Sequence, residues 1–182
     1  MNALVFDTET TGLPLHPDAK PELQPKIIEF GAALVDQDYN VLETMNVLIN
    51  PDQPLEAIIT KITGLTDEDL QDQPPFSAFL PDIRAMFAKA DAMIAHNLPF
   101  DSTLLELELE RLGCTDFPWP RLKICTTQEC YEEWGRRPKL LELYEEVTGE
   151  PLAQTHRALD DVMALVEVVK RKEILHAAAL AS

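Results

Sequence analysis

The chain has 182 residues, a length that suits one domain, and its 46% hydrophobic and 26% charged residues are typical of a globular protein. Its formal net charge of -17 argues against a protein that binds duplex nucleic acid tightly through a basic surface. Carboxylates that hold metal ions can nevertheless face phosphate, because the bound cations reverse the local charge. The three cysteines have no disulfide or zinc spacing, and we find no signal-peptide pattern or membrane-spanning run, so we expect a cytoplasmic protein without membrane contact.

The first predicted element is a strand that leads into acidic residues. Residues 3–6 are all apolar, as in a strand that is buried on both faces, and Gly12 and Pro14 mark its end. Because side chains alternate along a strand, the carboxylates of Asp7 and Glu9 point the same way. Two adjacent carboxylates repel each other unless a cation lies between them, and a divalent metal ion is the usual solution. An acidic turn without a function is the alternative.

The rest of the chain predicts an α/β domain. Residues 26–35 and 41–49 have the composition of two strands, and the short polar connection between them predicts an antiparallel hairpin. The remaining patterns predict helices at 55–65, from Thr66 onward, and at 76–90, 100–112, 140–147 and 156–172, and strands at 92–96 and 124–127. With no repeat or linker in the sequence, we expect a single domain over residues 1–182.

Two further acidic sites lie at the boundaries of predicted elements. Asp101 falls where a strand gives way to a helix, and Asp160 and Asp161 lie in the first turns of the last helix, just after His156. Complementation of the helix dipole would explain each of these acids without any function. Helical spacing alone would pair His156 with Asp160, four residues away. His96, before Asp101, belongs either to a functional site or to the edge of the core.

Together these segments resemble the three sequence motifs of the DnaQ-like 3′-to-5′ exonucleases, in the DEDDh branch. The motifs are Asp7–Gly12, His96–Asp101 and His156–Asp161, and the intervening segments Ile62–Asp67 and Lys139–Leu143 are also similar to the family. The resemblance therefore extends over the whole chain. It implies an RNase H-like α/β fold, in which a mixed central sheet is flanked by helices.

The resemblance also implies a two-metal site, with two Mg²⁺ or Mn²⁺ ions, and a histidine general base, His156. The implied metal ligands are Asp7, Glu9, Asp101 and Asp161. The family's gap between the histidine and the last acid selects Asp161 over Asp160. The implied contacts to the terminal nucleotide come from Thr10, Thr11, Gly12, Leu13 and Asn97.

The expected activity is the release of nucleoside 5′-monophosphates from the 3′ end of single-stranded DNA. The expected partners are nucleic acid strand ends and a polymerase or another replication or repair protein. Two alternatives stay open, namely the same chemistry on RNA ends and a non-catalytic module that binds strand ends or docks on a polymerase. The oligomeric state is also open, because the apolar tail at residues 177–181 could pack at an interface or fray.

Overall fold

The computed structural model describes residues 1–153 and 156–181 and contains a five-stranded mixed sheet. The strands are β1 (Ala3–Thr10), β2 (Ile27–Val35), β3 (Val41–Leu48), β4 (Ala92–Ala95) and β5 (Leu122–Cys125). Their order across the sheet is β3-β2-β1-β4-β5. β2 pairs antiparallel with β1 and β3, as the predicted hairpin requires, whereas β4 pairs parallel with β1 and β5. The predicted mixed central sheet is therefore confirmed.

Helices cover both faces of the sheet. They are α1 (Ala57–Thr63), α2 (Asp67–Leu70), α3 (Phe76–Ala88), α4 (Leu98–Arg111), α5 (Thr126–Glu129), α6 (Tyr131–Trp134), α7 (Leu140–Thr148), α8 (Ala158–Arg171) and α9 (Ile174–Ala181), with a 3₁₀ turn at Pro21–Leu23. Within residues 1–153 and 156–181, no helix combines the length and the apolar composition that a membrane span requires.

The strand β1 lies at the centre of the fold because it is buried on both faces. Val5 packs on the side of α8 with Val162 and Leu165. Phe6 points the other way, where the core includes Phe87 of α3 and Leu105 of α4. The alternation of side chains along β1 thus separates the core into two layers, one on each side of the sheet.

Local sequence signals agree with most element boundaries. Thr66 caps α2 as predicted, since its hydroxyl oxygen accepts a hydrogen bond from the Asp69 backbone N–H and the Asp69 carboxylate accepts one from the Thr66 N–H. The last predicted strand is displaced, because β5 ends at Cys125 and Thr126 already belongs to α5. Threonine favours strands by propensity, but the buried Thr126 hydroxyl is hydrogen-bonded to His96 across the fold, and such tertiary contacts override propensity.

The segment that follows α8 is part of the fold. Residues 174–181 form the helix α9, and Ile174 and Leu175 are buried against the layer that contains α8. The Leu175 backbone N–H also donates to the Tyr39 hydroxyl at 3.2 Å. The start of this helix is therefore hydrogen-bonded to the turn between β2 and β3.

Candidate active site

Two acids on β1 face the helix α8. Val5 packs toward α8, so Asp7 and Glu9, two and four residues further on, lie on the same face of the strand. Thr8, between them, faces the opposite side of the sheet. The register of β1 against β2 shifts between Glu9 and Thr10, which marks an irregularity at the end of the strand.

Asp101 reaches the same strand from the other side of the sheet. It lies in the first turn of α4, and its side chain is buried. Its Oδ1 accepts hydrogen bonds from the Thr8 backbone N–H at 3.0 Å and from the Thr8 hydroxyl at 2.8 Å. The third acid is therefore held at the residue that separates Asp7 from Glu9.

His156 and Asp161 complete the cluster from the start of α8. Single side-chain atoms of Glu9, His156 and Asp161, each able to bind a metal ion, lie within 4.8 Å of one another. Asp161 is buried, whereas Asp160 is exposed. Because α8 begins only at Ala158 and His156 has a left-handed backbone with φ of 51°, the spacing of a regular helix does not apply to this pair.

The electrostatics of the cluster favour a cation. Burial, followed by repulsion from Asp101 and Glu9, raises the pKa of Asp7 well above its usual value. Burial and repulsion from Asp161 raise the pKa of Glu9 to about 8, and burial raises that of Asp101 to about 7 despite its hydrogen bonds from Thr8. Carboxylate oxygens are the ligands that Mg²⁺ and Mn²⁺ prefer, so this donor set fits such ions.

A groove of about 680 Å³ opens beside Glu9. Residues 10–13, the predicted contacts to the terminal nucleotide, line this groove, and the Thr10 hydroxyl, which donates to the Gly12 carbonyl oxygen at 2.7 Å, shapes the turn. Leu13 is 77% exposed. Four more exposed or half-exposed aliphatic side chains line the same groove, namely Leu15, Leu23, Ile58 and Ile62. Sequence analysis missed these four, because they come together only when the loop after β1 packs beside α1.

The first two residues of the His96–Asp101 motif, His96 and Asn97, lie in different surroundings. His96 Nε2 is 3.1 Å from the Pro138 carbonyl oxygen and its Nδ1 is 2.9 Å from the Thr126 hydroxyl. Since a carbonyl only accepts, Nε2 carries the proton, and burial lowers the pKa of this histidine. His96 is thus the edge-of-core residue of the two alternatives. Asn97, predicted to contact substrate, precedes α4 with a left-handed backbone and lies outside the groove.

Sequence analysis also missed one ion pair beside the cluster. Glu29 on β2 is the cross-strand neighbour of Glu9, and its side chain is fully buried. Arg157, directly after His156, donates to both Glu29 carboxylate oxygens at 2.9 to 3.2 Å. The available signal was a single glutamate inside the otherwise apolar strand β2, because such a residue needs a partner when it is buried.

Comparisons with known proteins identify the family. The family model described as "Exonuclease" (RNase_T) matches residues 4–169. The chain is 31% identical to a DNA polymerase III subunit epsilon from Treponema pallidum, over 90% of this chain and 72% of that protein. It is 28% identical to a PolC-type DNA polymerase III from Caldanaerobacter subterraneus subsp. tengcongensis, over 91% of this chain but only 11% of the much longer polymerase.

Solved structures support the fold. The nuclease domain of 3′hExo, a DEDDh family member bound to rAMP, has a TM-score of 0.75 at 16% identity and covers 95% of this chain and 92% of that one. Exonuclease X in complex with 5′ overhanging duplex DNA has a TM-score of 0.68 at 23% identity, with coverage of 96% and 92%. The resemblance found in the sequence is confirmed, and the chain belongs to the exonuclease family as a DnaQ-like member with an RNase H-like fold.

Proposed function

We propose that this chain is a metal-dependent 3′-to-5′ exonuclease that removes nucleoside 5′-monophosphates from the 3′ end of single-stranded DNA. The convergence of four acids and one histidine beside an open groove supports this proposal most directly. The rival non-catalytic module is disfavoured, since such a module has no need to keep several mutually repelling, poorly hydrated acids together.

We assign the metal site to the four acids of the cluster. Asp7, Glu9, Asp101 and Asp161 would hold two Mg²⁺ or Mn²⁺ ions. Two such ions in phosphodiester hydrolysis neutralise the charge on the phosphate and stabilise the attacking and leaving oxygens. Thr8 contributes by holding Asp101 through two hydrogen bonds, so that one carboxylate oxygen has a fixed direction.

We assign the proton transfer to His156. A ring nitrogen of this residue lies near carboxylate oxygens of Glu9 and Asp161, where an attacking water would be bound. An imidazole is the side chain best suited to act as a general base near neutral pH. His156 is only partly buried, so the proton it removes has a path to solvent.

The groove beside Glu9 would hold the terminal nucleotide. Thr10, Thr11 and Gly12 line it, and the exposed side chain of Leu13 offers an apolar surface for a base. We retain Asn97 as a contact on the other side of the cluster, near Asp101. The acidic chain avoids repelling its polyanionic substrate because the bound ions reverse the local charge.

The choice of DNA rests on the relatives. Those at 28% and 31% identity are named as DNA polymerase III proteins, which also favours a polymerase as partner and a cytoplasmic location. RNA is the second candidate, because the 3′hExo domain was solved with rAMP and a related 3′-exonuclease recognises a histone mRNA stem-loop, at 16% and 17% identity. We assign all of residues 1–182 to one exonuclease domain.

Digestion of matched strands tests the proposal. With Mg²⁺, the protein should shorten 5′-labelled single-stranded DNA stepwise and faster than RNA of the same sequence, and a 3′-blocked strand should survive. Asp161→Asn should abolish cleavage, while Asp160→Asn, one residue away and exposed, should keep it. Intact DNA and RNA would refute the activity, faster RNA cleavage would favour the second candidate, and an active Asp161→Asn would refute the metal assignment.

A further inference from the structure

The segment that carries His156 has an unfavourable backbone. His156 has φ of 51°, a left-handed conformation that few residues other than glycine adopt. Arg157 follows in an extended conformation, and its side chain makes no cap hydrogen bond to α8. The contacts of Arg157 show which residue outside the helix adjoins this turn.

The helix α8 is capped by a residue of another element. The Ala158 backbone N–H, which has no partner within the helix, donates to Glu29 Oε2 at 3.3 Å. The Arg157 guanidinium donates to the same carboxylate through Nε and Nη2, at 2.9 to 3.2 Å. A single buried side chain on β2 thus binds two consecutive residues directly after His156.

The strand β2 is shaped to bring the start of α8 this close. Gly31 lies two residues beyond Glu29 and therefore on the same face of β2. A Cβ atom on Gly31 would lie 2.5 Å from the Ala158 carbonyl carbon and from the Leu159 nitrogen, and these backbone atoms could move aside only if the helix itself shifted. Gly31 thus leaves space for the backbone of α8, and Glu29 accepts a hydrogen bond from its first N–H group.

The charges of Glu29 and Arg157 also act on the acid cluster. Glu29 is opposite Glu9 on the neighbouring strand and adds to the repulsion on it, whereas the charge of Arg157 opposes that repulsion. Both oxygens of Glu29 accept hydrogen bonds from Arg157. Glu29 is therefore engaged as an acceptor for the turn rather than offered to the site as a further metal ligand.

We propose that Glu29 and Arg157 are positioning residues that hold His156 over the acid cluster, so that loss of their bidentate contact misplaces the base without removing the metal site. This inference rests on the proposed exonuclease function. Lysine in place of Arg157 keeps the positive charge but loses the planar two-pronged donor. The substitution should therefore separate geometry from charge.

The test compares Arg157→Lys with Arg84→Lys. Arg84 also makes a bidentate contact, with Asp116, and its side chain is 38% exposed against 39% for that of Arg157. Unlike the buried Glu29, Asp116 is exposed and lies outside the acid cluster. Arg157→Lys should lower kcat by about tenfold or more with KM nearly unchanged, as expected for a displaced group. Calorimetric Mn²⁺ affinity should stay within about threefold, because the four acids remain.

Nuclear magnetic resonance supplies a measurement that does not depend on activity. In the metal-free protein, Arg157→Lys should shift the ring signal of His156 and the amide signal of Ala158, and Arg84→Lys should shift neither. If Arg157→Lys fails to fold, Glu29→Gln replaces it, because it keeps the shape of the side chain but leaves the guanidinium of Arg157 a single acceptor oxygen.

Three results for Arg157→Lys would overturn the proposal. They are an unchanged kcat, a lowered kcat with an unmoved His156 signal, and a loss of Mn²⁺ affinity by tenfold or more. An equal fall in kcat for Arg84→Lys would also overturn it. If the wild-type protein cuts no strand, the proposed function fails, while the His156 and Ala158 signals still decide whether the pair holds the turn.

Discussion

Replacing Asp101 by asparagine should stabilise the metal-free protein at alkaline pH. The amide oxygen keeps an acceptor for the two hydrogen bonds from Thr8, and the buried negative charge disappears. Burial raises the pKa of Asp101 from 3.8 to about 7, so the folded state binds this proton more tightly than the unfolded state does. The free energy of unfolding therefore falls as pH rises from about 4 to about 7 and stays low above that.

The gap between the two pKa values corresponds to about 4 kcal/mol at pH 8. Asp101→Asn should therefore gain up to about 4 kcal/mol at pH 8 and nothing below about pH 4. Mg²⁺ should stabilise the wild-type protein more than the variant, because it binds only the folded site.

Urea unfolding followed by circular dichroism, in EDTA at pH 4 and pH 8 and again with Mg²⁺, measures these differences. Asp116→Asn is the control, since hydrogen bonds from Arg84 hold the pKa of Asp116 below its usual value and its loss should give no gain at pH 8. The reasoning is refuted if Asp101→Asn is no more stable than wild type at pH 8 in EDTA. It is also refuted if the gain is the same at both pH values.

Three further substitutions probe the packing, the groove and the base. Gly31→Ala should lower the free energy of unfolding by about 2 kcal/mol or more, because its Cβ would meet backbone atoms of α8. Gly12→Ala is the control, since a Cβ there would have nothing within 4 Å and should have little effect on urea unfolding. Similar losses for the two variants would contradict the close approach of α8 to Gly31. Leu13→Ser should raise KM for an oligonucleotide by about tenfold with less change in kcat, and an unchanged KM in steady-state assays would exclude Leu13 from the groove contact. His156→Gln should lower kcat by about 100-fold while calorimetry still detects Mn²⁺ binding, and an unchanged rate would show that another group is the base.

Local patterns predicted the elements well because each pattern has a local cause. The apolar run of residues 3–6 predicted a strand buried on both faces, and β1 is one. The helix predicted from Thr66 onward is α2, which Thr66 caps together with the acid three positions later, and Gly113 and Gly149 follow α4 and α7 with φ of 64° and 76°, a conformation that glycine adopts readily at helix ends. The helices α6 and α9 were not predicted, and at Thr126 a hydrogen bond to a distant histidine accompanies a helix where the sequence predicted a strand.

The site was predictable only in part. Alternation along β1 places Asp7 and Glu9 on one face, and this follows from the strand alone. The resemblance to the DEDDh exonucleases named Asp101, His156 and Asp161, and the structure brings them to the same strand, yet their roles stay predictions until the variants are tested. Helical spacing favoured Asp160, because that rule assumes a helix that starts before His156.

The sequence by itself determined which side chains share a face and where most helices and strands begin, since these depend on periodicity and on contacts within a few residues. Only the tertiary structure decided which faces meet. Glu29 and Arg157 are 128 positions apart in the sequence. They form an ion pair because Gly31 leaves room for the start of α8 against β2. The aliphatic groove beside Glu9 arises in the same way, from loops whose approach no local pattern specifies.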